Sequence, residues 1–108
     1  MAVKIPIVVD QGTTFNSEIE LNDQDGNPLD VTNMTARGQI RKHYTSSTAT
    51  DFSCDLSNGM LIISLTSEQT RTLLAGRYVY DIELVDGATN VHRLFEGVVT
   101  VTPEVTRG

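Results

Sequence analysis

The chain has 108 residues, with 14 acidic against 8 basic side chains and a formal charge of −6. That length supports one core without covalent staples, and the negative field repels phosphate, which sets nucleic acid aside as a partner. The one cysteine, Cys54, excludes an internal disulfide and lacks the spacing of a zinc or Cys-x-x-Cys redox site, so synthesis in a reducing cytoplasm is expected.

Met1 to Val9 carries one cation and an apolar run cut by Pro6, too short for a signal-peptide core or a membrane span. No membrane association is expected, and Lys4 to Val9 reads as an edge strand closed by Asp10-Gln11-Gly12. Phe15, Ser17, Ile19 and Leu21 then alternate with Asn16, Glu18 and Glu20, the pattern of a half-buried strand. Asn22 to Pro28 is a break. Ala36, Gly38 and Ile40 turn inward, while Arg37, Gln39 and Arg41 form an outward polar row.

His43 to Asp51 is a Ser/Thr-rich loop. Phe52, Cys54 and Leu56 make a short strand, and Ser57-Asn58-Gly59 turns it into Met60 to Leu65, which is apolar enough to be buried on both faces. Thr66-Ser67-Glu68-Gln69 has the capping-box spacing, so a helical turn or two is predicted over about residues 67–74, ended by Gly76. Ala75 to Leu84 and Arg93 to Val101 alternate as strands joined by a tight Asp86-Gly87 turn. About seven strands with one helical crossover describe an all-β, immunoglobulin-like antiparallel sandwich. It fills residues 1–108 as one domain.

No catalytic, cofactor or metal constellation stands out. Asp23-Gln24-Asp25-Gly26-Asn27 resembles the start of a calcium loop, but its twelfth position is Met34 where a bidentate carboxylate is needed, so a hairpin turn is expected. His43 and His92 have no partner at a recognisable spacing, and the Gly-x-Ser-x-Gly elbow is absent. The chain reads as a non-enzyme. Asn33-Met34-Thr35 fits a glycosylation sequon without a secretory signal to give it meaning.

Tryptophan is absent, and Tyr78 and Tyr80 share a face with Ile82 and Leu84, which leaves Tyr44 as the aromatic expected to be free. Arg37, Arg41 and Lys42 are the one local basic cluster. The two arginines can dock a carboxylate-rich partner, or pair across the sheet with Asp81 and Glu83 at about 0.2–1 kcal/mol each.

Asp10-Gln11-Gly12-Thr13-Thr14-Phe15, Leu29 to Arg41, Leu65 to Thr70, Ala75 to Leu84 and Glu96 to Arg107 together resemble a tailed-bacteriophage structural module. It is similar to small structural proteins of cyanophages and to the N-terminal domain of phage baseplate upper proteins. The family more often has Gly and an aromatic at the places of Asn33 and Met34. The resemblance implies a virion protein present in multiple copies, with other virion proteins as partners and a tail or baseplate address. A capsid decoration (cement) role and a glycan-binding host-adhesion role are the alternatives.

Two segments, 1–9 and 102–108, are candidate assembly arms, because an extended edge can add to a neighbour's sheet through backbone hydrogen bonds. The same strand can equally pair within its own sandwich. The candidate interface residues are therefore Ile5, Ile7, Val9, Arg37 and Arg41.

Overall fold

The computed structural model describes residues 3–106; residues 1, 2, 107 and 108, the outermost parts of both expected arms, lie outside them. The elements are β1 (Val3–Lys4), β2 (Ile7–Asp10), β3 (Phe15–Glu20), β4 (Thr35–Arg41), β5 (Thr50–Asp51), β6 (Ser53–Ser57), β7 (Met60–Leu65), α1 (Ser67–Thr72), β8 (Gly76–Val85) and β9 (Val91–Thr102). A six-stranded sheet runs β1–β9–β8–β4–β5, with β2 also on β9, and faces a three-stranded sheet, β3–β7–β6. This strand order is that of an immunoglobulin-like all-β sandwich.

The alternation read from the sequence is what packs the two sheets together. Val9, Ile40, Leu61, Ile63, Leu65, Ile82, Val99 and Val101 are at most 2% exposed, and each such side chain contributes about 1.5–3 kcal/mol by leaving water. Phe52 crosses between the sheets, its ring 6.4 Å from Phe15 and edge-on to Tyr80 at 6.0 Å. Met60 to Leu65 departs from the expectation of burial on both faces. Leu61, Ile63 and Leu65 are buried, whereas Met60, Ile62 and Ser64 are half-covered, because among the described residues no further sheet lies outside the three-stranded one.

The N-terminal strand is interrupted. Proline has no N–H to give a ladder, so β1 stops before Pro6 and β2 starts after it, although Ile5 N–H still donates to Glu96 O at 3.0 Å. Both pieces run parallel to β9, so the sandwich is antiparallel everywhere except this edge. Tyr80 holds the interruption in place, since its hydroxyl donates to Ile5 O at 2.5 Å. Gly97 lies opposite Tyr80, and a Cβ there would come within 2.6 Å of Ile5 O. The close approach of backbone to backbone therefore requires glycine.

The capping box forms as predicted: Gln69 N–H donates to Thr66 Oγ1 at 3.1 Å and Thr66 N–H to Gln69 Oε1 at 2.9 Å. The helix is shorter than residues 67–74, because Leu73 turns to extended backbone to bury its side chain. Gly76, with φ at 140°, opens β8 and does not end α1.

The β8–β9 connection is also longer than the expected two-residue Asp-Gly turn. It spans 86–90, and Thr89, not Gly87, takes the left-handed backbone at φ 65°. Asp86 organises it, accepting from Asn90 N–H at 3.0 Å and Ala88 N–H at 2.9 Å. Those bonds, Asn90's first, hold its carboxyl below the usual range. The Asp23 segment is a turn of the same kind, with Asp23 Oδ1 accepting from Asp25 and Asn27 N–H. Asn33 sits at φ 65°, a conformation that asparagine tolerates and glycine takes at no cost.

Candidate protein interface

The outward face of the six-stranded sheet carries both candidate arginines, of which Arg37 joins a row of charge pairs. Arg37 stands opposite Glu83, with Nε 2.9 Å from Oε1. Arg41 takes no carboxylate: it donates to Ser46 O at 2.6 Å and to Gln39 Oε1 at 2.9 Å, and so secures the β4–β5 loop. Asp81 pairs instead with Arg93 at 3.4 Å. Burial pushes the Asp81 carboxyl up and Glu83 adds to this, while Arg93 pulls the other way.

Arg93 was not among the sequence candidates, for a definite reason. Counting back from the inward Val101, Val99, Gly97 and Phe95 puts Arg93 inside the sandwich. A bulge at Leu94 makes Arg93 the partner of Glu83 while Phe95 stays opposite Ile82, which turns Arg93 outward. Next to this row lies an apolar ridge. Val98 is opposite Val79 and diagonal to Val8 across β9, and Val8 is 63% and Val98 42% exposed.

Of the N-terminal candidates, Val9 is fully buried in its own core and offers no side chain to a partner surface. Ile5 and Ile7 are half-buried along the side of the sandwich. Much of the C-terminal arm is tied down. Thr102 Oγ1 donates to Asp10 Oδ1 at 2.7 Å, Glu104 N–H donates to Gln11 Oε1 at 3.1 Å, and Gln11 Nε2 donates to Leu73 O at 2.9 Å. Val105 of this arm is 95% exposed.

Tyr44 is 79% exposed at the rim of a hollow of about 290 Å³ lined by Gln39, Arg41, Val79, Asp81, Arg93 and Glu96. Tyr78 belongs to the scaffold: its hydroxyl donates to Leu74 O at 2.7 Å, the tyrosine corner of such sandwiches. His92 Nε2 is 3.5 Å from Asp86 Oδ2, at an exposed loop tip and outside that hollow. Burial pushes the Cys54 thiol up. Among the described residues no three or more His, Cys, Asp or Glu side chains gather as for a metal ion, and no helix is long and apolar enough to cross a membrane.

No protein-family model and no curated protein matches the chain. Among solved structures it is similar to the Lin-41 filamin domain, at 13% identity over 88% of this chain and 82% of that one, with a TM-score of 0.48. It is also similar to an internalin-like protein of Listeria monocytogenes (17% identity, 94% of this chain and 28% of that one, TM-score 0.50). A third is a SrpA adhesin variant from Streptococcus sanguinis (14% identity, 93% of this chain and 56% of that one, TM-score 0.50). The chain thus spans about a quarter and about half of those last two proteins. At such identities the likeness establishes the sandwich fold and nothing finer.

Proposed function

We propose that the chain is a non-enzymatic structural protein of a tailed-phage virion, made in the host cytoplasm and serving as an assembly or attachment module of the tail or baseplate. One structural observation carries the interaction role. The Val8–Val98–Val79 ridge, which runs to the edge strand β2 and has the Arg93–Asp81 pair beside it, is an exposed apolar strip next to charge, of the kind that packs against another protein. The phage address rests on the sequence resemblance.

Quantitative mass spectrometry of purified particles tests it. The chain is expected in particles at a fixed multiple of a known tail protein, and Val98→Glu is expected to lower that multiple without changing the fold. Absence of the wild-type chain from particles overturns the reading.

A glycan-binding host-adhesion module is the second reading, favoured by Tyr44 standing free beside a hollow rich in polar side chains. It requires saturable binding to host envelope polysaccharide that Tyr44→Ala abolishes. Equal binding by Tyr44→Ala, or none by the wild type, removes it.

A further inference from the structure

The two sheets do not close equally well along their two sides. On one side β4 packs against β6, and Phe52 N–H bonds Gly38 O at 2.9 Å, which joins the sheets. On the other side the chain passes from β2 to β3 through the turn at 11–14, and both strands are edges of their sheets. Along this second side Ile5, Ile7, Phe15 and Ile19 are only half-buried, packed on the core with their flanks uncovered. The result is an apolar seam with a sheet edge on each lip.

The two lips differ in what they offer. Ile5 N–H donates to Glu96 O and Gln11 N–H to Thr102 O, so odd-numbered backbone groups face β9 and even-numbered ones face out. Pro6 falls on an outward position and has no N–H there, which blunts this edge. At β3, Leu21 N–H donates to Gly59 O in register with the β3–β7 ladder, so the N–H and C=O groups of Asn16, Glu18 and Glu20 face out. This edge runs from Phe15 to Glu20 without a proline or a bulge.

The charge around β3 selects the occupant. On the outer face of the three-stranded sheet Glu18 lies beside Ile62, Glu20 beside Met60, and Asp55 on the far side of Ile62. Among the described residues this face carries no cation. Pairing β3 with β3 of a second copy would set these glutamates against their own counterparts, which like charges disfavour.

We propose that the β3 edge and the seam beneath it accept an extended strand of a partner protein in which apolar residues alternate with lysine or arginine. Its backbone pairs with Asn16, Glu18 and Glu20, its apolar side chains cover Ile5, Ile7, Phe15 and Ile19, and its cations meet Glu18 and Glu20. This rests on the assembly reading and gives it a contact mode.

The test uses the full 15N-labelled chain and a synthetic peptide of alternating valine and lysine, with a valine–glutamate peptide as counter-probe. The expected result is slowed amide exchange at Asn16, Glu18 and Glu20 but not at Val8, with the lysine peptide bound at least about tenfold more tightly. Glu18→Pro removes an outward N–H that serves no intramolecular bond, so it is expected to fold and to lose the peptide. The double variant Glu18→Lys, Glu20→Lys, with the backbone edge intact, is expected to prefer the glutamate peptide. No binding of either peptide, protection at Val8 or in β6, unchanged preference in the double variant, or dimerisation through β3 without peptide each overturns the proposal. Infection with Glu18→Pro in place of the wild type separates the two readings. Normal incorporation of that variant overturns strand acceptance alone, whereas absence of the wild-type chain from particles, with the lysine peptide still bound in solution, overturns the assembly role and leaves the strand-accepting edge.

Discussion

Tyr80 does two jobs at one position: its ring fills the core against Phe52, and its hydroxyl clamps Ile5 O. Tyr80→Phe keeps the ring and leaves Ile5 O without that donor, so a loss of about 1–2 kcal/mol is expected in urea unfolding. Burial also pushes the Tyr80 hydroxyl up to about 12. An unfolded tyrosine ionises near about 10, so the unfolded chain binds fewer protons between the two values and stability falls as pH rises through that window. Tyr80→Phe is expected to flatten this part of the alkaline decline, read as melting temperature against pH. The inward direction of Tyr80 was legible from its alternation with Ile82 and Leu84. Its partner was not, because Ile5 is reached through a long-range parallel pairing that no local pattern encodes. Arg37 opposite Glu83 was legible by the same alternation, and Arg93 was hidden by a one-residue bulge that reverses every side chain upstream of it.

Among the elements, α1 was the most readable, since a capping box states its own start. Only Thr70 of that helix is fully buried, and its hydroxyl donates to Thr13 O at 2.7 Å, so the cap matters for seating the helix on the β2–β3 turn. Thr66→Ala is expected to cost about 1 kcal/mol. An unchanged melting temperature would contradict this. The N-terminal strand was legible as an edge, but its split was not, because Pro6 permits either a bend or a gap and the choice is made by Tyr80 and Gly97 from β8 and β9. Pro6→Val restores an outward N–H and lengthens a free edge. That variant is expected to self-associate in sedimentation velocity at concentrations where the wild type stays monomeric. Equal behaviour of the two would show that Pro6 does not guard the edge.

For the whole molecule, alternation and turn chemistry were sufficient to reach an all-β sandwich, because each strand's inward residues must meet across one core. Sheet membership was not legible, since it depends on which edges come together at a distance. That arrangement also makes the two outer faces unlike in charge. Arg37, Arg41, Arg77 and Arg93 share the outward face of the six-stranded sheet with Asp51, Asp81, Glu83 and Glu96, while Glu18, Glu20 and Asp55 stand without a strand cation on the outer face of the other. Two unlike faces and one open side suit a subunit that meets different neighbours in a repeating assembly. Labelled chain added to separated heads and tails from particles that lack it tests this role most directly. Saturation of tails at a low fixed number, about six copies or a small multiple, is predicted, because a module of a closed ring repeats with the ring's symmetry. Saturation of heads at many copies would contradict the tail address in favour of capsid decoration, and binding to neither fraction would contradict the assembly role itself.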